Sequence, residues 1–166
     1  MVIHDHGNFI NGRYRDLLDK FDGGGGIYAP ASSNTDFQDA KGVTYLKRSA
    51  TPSYDLNKGV YAGGNCGCLA LSLAVAKGFK EIYLIGMDAR YNMAEDRSHF
   101  HDGYKNKISE DNERVYEAFA TFFENSGKAL KKTRPDVKVF NVSDISLIDI
   151  DEDYFKRITI EDALNG

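Results

Sequence analysis

The chain has 166 residues, 42% apolar and 28% charged, with a net charge of −4 at neutral pH. This size and balance suit one packed domain and exclude global disorder, and the excess of acid weighs against a nucleic-acid-binding surface. No apolar run nears the ~20 residues that span a bilayer. The start, MVIHDHGNF, lacks the basic and apolar regions of a signal peptide, so a cytoplasmic protein with no membrane span is expected.

Residues 1–4 (MVIH) are predicted as a short strand ending at Asp5. Residues 8–21 read as a helix, because Phe9, Tyr14, Leu17, Leu18 and Phe21 recur near helical spacing, although Gly12 weakens its first half. Residues 23–26 (GGGG) form a turn and not a phosphate loop, since no helical pattern follows. Residues 27–30 and 43–46 are brief strands, separated by polar loop, and residues 48–58 make a second loop around Pro52.

A glycine-rich turn then leads into the most informative stretch, GVYAGGNCGCLALSLAVAKGFKEIYLIGMDARYNMAEDRSHFH. Gly64 or Asn65 caps a helix running to about Lys77, with Gly78 beyond its end. Leu69, Leu73 and Ala76 form its stripe, and Ala70 and Ala74 keep another side slim for packing on a sheet. Residues 82–85 (IYLI) are a continuous apolar run, the pattern of a strand covered on both faces. Residues 89–108 are long and polar, the expected place of a mobile lid. A helix starts near Ser109 with acids in its first turn, carries Val115, Tyr116, Phe119, Phe122 and Phe123 as its apolar stripe, and ends before Pro135. Residues 138–141 are another buried strand, residues 149–153 (DIDED) a solvated turn, and residues 160–164 a small helix.

Strands alternating with helices imply an α/β domain with a mostly parallel sheet. Right-handed crossovers would align residues 63–65, Asp88 and the loop after Asn141 along one edge, where such sheets bind ligands.

Several residues carry chemistry. Gly63 and Gly64 permit close backbone approach, and the helix start after Asn65 favours an anion; the same turn also serves as a plain strand-to-helix connection. No Gly-Lys-Ser/Thr follows, so it is not a Walker motif. Asp88 ends a strand, where it suits a ribose hydroxyl, a metal or a loop cap. Arg90, Tyr91, Arg97 and Tyr104 suit phosphate oxygens or a solvated loop. All four histidines fall in two pairs, His4/His6 and His99/His101. Three readings stay open for them: exposed loop residues, a metal site with a nearby Asp, or base catalysis by one imidazole, whose pKa near ~6.5 suits it at neutral pH. Cys66 and Cys68 are too close in sequence for an ordinary disulfide and read as reduced and partly buried, in keeping with the cytosol.

The run GGNCGCLALSLAVAKGFKEIYLIGMD, the later HFH, and NVSDIS and ITIEDAL near the end resemble the 6-hydroxymethylpterin diphosphokinase MptE-like family and the related bacterial sialyltransferases that use CMP-sialic acid. The likeness covers roughly the last two thirds of the chain. It implies a Rossmann-like three-layer sandwich and a nucleotide-activated donor. In the sialyltransferase branch, glycosyl transfer to a glycan hydroxyl needs no obligatory metal. His99, in Ser98-His99-Phe100, takes the general-base role. Tyr91, one place from the family position, holds the leaving phosphate, and Gly63, Gly64 and Asn65 contact the donor. In the diphosphokinase branch ATP is the donor, a pterin alcohol the acceptor, and Mg²⁺ is implied, with Asp88 as its holder. These families open with a strand and a glycine turn that bind the nucleotide, and none precedes His4. A domain shortened at its N-terminal side is therefore expected, and with it a third reading, a non-catalytic Rossmann-like binding module that lost its nucleotide-binding half and is partner-completed or inactive; a homo-oligomer stays open as well.

Overall fold

The computed structural model describes residues 27–30, 43–90, 110–149 and 151–165. The strand expected at 1–4, the helix at 8–21, the turn at 23–26 and residues 91–108 of the expected lid fall outside the described residues, and with them every histidine, Tyr91, Arg97 and Tyr104. The chain is mixed α/β, with two compact units, Met1–Phe79 and Lys80–Gly166. The described strands form three small sheets, one of them three-stranded and all-parallel, and helices pack on strands. Among the described residues no helix is long and apolar enough to cross a membrane.

In the first unit β1 (Ile27–Pro30) pairs in parallel with β2 (Val43–Leu46). β3 (Arg48–Ser49) and β4 (Tyr54–Asp55) flank β5 (Gly59–Tyr61), β3 in parallel and β4 antiparallel. The expected loop over 48–58 is thus corrected: its ladders are two residues long, too short to leave a period-2 pattern. α1 (Cys66–Ala76) packs on β4 and β5. Leu69 and Leu73 join Leu46, Val60 and Ala62 in one core, with Tyr28 against it. The single stripe predicted for α1 is too narrow. Cys68, Leu71, Ser72 and Val75 are buried as well, while Ala76 is half-buried, so the helix is enclosed nearly all round. Just past its end, Lys77 Nζ donates to Tyr28 Oη at 2.7 Å and lies 4.6 Å from the ring centroid, tying the helix to β1.

In the second unit β6 (Glu81–Ile85), β7 (Lys138–Val142) and β8 (Lys156–Arg157) run parallel in that spatial order, with α2 (Glu110–Thr133) as the crossover between β6 and β7. Ile82 and Val139 share one face with Leu84 and Asn141, and Leu84, Val139 and Asn141 are buried. The opposite face carries Tyr83 stacked on Phe140 at 5.1 Å, beside Ile85. Tyr83 is 38% and Ile85 58% exposed, so β6 is not covered on both faces as its apolar run suggested. A continuous apolar run records composition; it does not record which faces are covered.

The α2 stripe also differs from expectation. Val115 is exposed, and the buried positions are Ala120, Phe123, Ser126, Gly127 and Leu130. Gly127 is where the chain following β7 touches the helix: a Cβ there would clash with the Tyr154 side chain and lie 3.0 Å from Phe155 Cζ. Lys131 and Lys132 close the helix, where cations complement the free carbonyls.

The acidic 149–153 run is not simply a solvated turn. Asp149 is 4% exposed and accepts the backbone N–H groups of Asp153, Tyr154 and Phe155. This carboxylate folds the chain back so that Phe155 is buried and β8 enters the sheet. α3 (Ile160–Asn165) follows, opened by a reciprocal cap. Thr159 Oγ1 accepts the Asp162 N–H at 3.0 Å, and Asp162 Oδ2 accepts the Thr159 N–H at 3.2 Å.

Candidate functional site

The carboxyl ends of β6 and β7 are joined by hydrogen bonds from the loop that follows β7. Ser143 Oγ donates to Asp88 Oδ1 at 2.6 Å, and Leu147 N–H donates to the Asp88 carbonyl at 2.8 Å. Ser146 Oγ donates to the Met87 carbonyl at 2.8 Å and accepts the Ile148 N–H at 3.1 Å. The expected meeting of Asp88 with the loop after Asn141 therefore occurs, and a serine hydroxyl occupies one carboxylate oxygen.

Arg157 on β8 braces the same loop. Its Nη1 donates to the carbonyls of Ser143 (3.0 Å) and Asp144 (3.1 Å), and its Nη2 to that of Ser146 (3.2 Å). The planar fork of a guanidinium can reach several carbonyls at once. Glu152 Oε2 accepts the Arg157 backbone N–H at 2.9 Å, and Asn141 Nδ2 donates to the Ile148 carbonyl at 3.1 Å. Asn141 Oδ1 is buried without a hydrogen-bond partner among the described residues. Arg90, which the sequence offers to phosphate, donates instead to the Ile145 carbonyl at 3.1 Å.

Above this framework lies a cleft of about 530 Å³, lined by Val142, Ser143, Asp144, Glu152, Arg157, Ile158, Thr159, Ile160, Glu161 and Asp162. Its volume suits a small organic ligand. Val142, Ile158 and Ile160 give it apolar walls. The lining also includes four acidic residues, two of which, Glu152 and Asp162, accept backbone N–H groups, and Arg157, three of whose N–H groups serve backbone carbonyls. Such a lining accepts hydrogen bonds from hydroxyl or amino groups and repels bare phosphate. Among the described residues no group of three or more His, Cys, Asp or Glu side chains is arranged to hold a metal ion.

The glycine turn belongs to the first unit. Gly63 (φ +51°) and Gly64 (φ +73°) are both left-handed, and Asn65 N–H donates to the Ala62 carbonyl at 3.0 Å. A turn with two left-handed central residues calls for glycine at each. Asn65 is the N-cap of α1: its Oδ1 accepts the Cys68 N–H at 2.8 Å, while Nδ2 donates to the Gly63 carbonyl and to Cys68 Sγ. One helix-end donor is thereby satisfied from within the chain. Neither cysteine forms a disulfide; Cys68 is buried, but Cys66 is exposed, contrary to the expectation for the pair. Burial pushes the Cys68 thiol up to about 12, against the opposing hydrogen bond from Asn65. The Tyr61 hydroxyl is raised chiefly by burial and secondarily by Cys68.

Of the site residues drawn from sequence, Asp88 is placed at the edge of the cleft framework, and Gly63, Gly64 and Asn65 form the turn and cap they were expected to form. His99 and Tyr91 lie outside the described residues. Ser143, Asp144, Glu152, Arg157 and Thr159 were not singled out. A Ser-Asp pair after an apolar strand marks Ser143 and Asp144, and the Thr159-x-x-Asp162 capping pattern marks Thr159; Glu152 and Arg157 carry no such signal. No protein-family model, curated protein or solved structure matches the chain.

Proposed function

We propose that the chain is a nucleotide-dependent transferase of the sialyltransferase-like kind, moving a sugar from a CMP-sugar donor to a glycan hydroxyl in the cytoplasm, on a Rossmann-like three-layer scaffold. The observation that supports it best is the acid-lined cleft at the carboxyl ends of parallel strands, held by Asp88–Ser143 and by the Arg157 brace. Ligands of parallel α/β sheets gather at that end. Carboxylates beside apolar walls accept hydrogen bonds from the hydroxyl groups of a sugar ring, which supports glycosyl transfer; the preference for a CMP-sugar over ATP, both of which carry phosphate, rests on the resemblance. The catalytic roles rest on the resemblance. His99 takes the proton of the acceptor hydroxyl as that oxygen attacks the anomeric carbon; the bond to the donor phosphate breaks, its electron pair leaves with CMP, and Tyr91 holds the departing phosphate. Gly63, Gly64 and Asn65 are proposed as donor contacts on the same ground.

The test is equilibrium binding of CMP-sialic acid to the full chain and to Ser143→Ala, which removes the hydroxyl on Asp88. A folded variant with binding weakened roughly tenfold, about 1.4 kcal/mol, supports the assignment; equal binding by both proteins places the donor elsewhere. One observation favours a second reading. Among the described residues β6 is the edge strand of its sheet, and it shows the exposed Tyr83 and Ile85, as expected of a binding module completed by a partner. Absence of nucleotide binding together with self-association or capture of a defined partner would favour that module.

A further inference from the structure

We draw no further inference here: the strongest candidate, the apolar Tyr83–Ile85 face at the β6 edge of the all-parallel sheet, carries nothing because nothing in the structure shows what covers it.

Discussion

Replacing Asp149 tests how the cleft is held. This side chain is 4% exposed; its Oδ1 accepts the Asp153 N–H at 3.1 Å, and its Oδ2 accepts those of Tyr154, at 2.7 Å, and Phe155. Hydrogen bonds to a charged group contribute about 1.5–3 kcal/mol each, but the three are not equal here. Asp153 is exposed, so water replaces its bond in Asp149→Ala. Tyr154 is half-buried, and its bond is partly replaced. Phe155 is 1% exposed, so its N–H stays buried with no acceptor, at a cost of roughly 1–3 kcal/mol. Asp149 also has φ +48°, which Asp and Asn tolerate better than Ala. Together these put Asp149→Ala about 3 kcal/mol below the parent. Asp149→Asn keeps the backbone preference and one acceptor oxygen but turns an amide donor toward another donor, for a loss of about 2 kcal/mol. Urea unfolding followed by circular dichroism gives both values from the midpoint and slope. A loss below about 0.5 kcal/mol for Asp149→Ala, the range of an ordinary surface change, would refute the role given to this carboxylate.

Gly127→Ala gains helix propensity of about 1 kcal/mol but drives a methyl into Tyr154; overpacking at about 1–3 kcal/mol should leave the variant less stable in the same urea assay. Native alkylation with iodoacetamide should label Cys66 and spare Cys68, with the second label appearing only on unfolding; two labels on the native chain would contradict the burial of Cys68. Because folding raises the Cys68 pKa, its contribution is complete below the ordinary thiol range and is lost as pH climbs toward about 12. That shift corresponds to about 4 kcal/mol across the alkaline limb, and Cys68→Ala should show a flatter decline with pH. His99→Ala should lower sugar transfer about 10²–10⁴-fold while CMP binding persists; unchanged turnover would remove the base assignment.

The legible parts of the fold are those with local signatures. Asn65 before an apolar helical run is a cap by its chemistry, and Gly78 follows the helix end as expected. β6 and β7 were legible from short apolar segments bounded by glycine, charge and proline. What stayed hidden depends on tertiary partners. Tyr83 and Ile85 look buried because their neighbours are apolar, and only the sheet reveals that their face is open. Aromatic residues dominate the reading of α2, whereas its close contact with the chain after β7 passes over Gly127, which adds nothing to an apolar pattern. Asp149 is indistinguishable in sequence from the acids after it, and its burial follows from backbone donors four to six residues away. The meeting of Asp88 at its strand end with the loop after Asn141 was legible from the alternation of strands and helices. The Arg157 brace was not, since a guanidinium bonded to carbonyls leaves no motif.

The most direct test of the transferase proposal is a thermal-shift panel on the full chain with CMP, CDP, CTP, ATP, GTP and UDP, each with and without Mg²⁺. Specific binding to the native state raises the melting temperature by linkage. The proposal predicts a rise with CMP and none with ATP, GTP or UDP, independent of metal. A rise only with ATP and Mg²⁺, or no rise with any nucleotide, would contradict it.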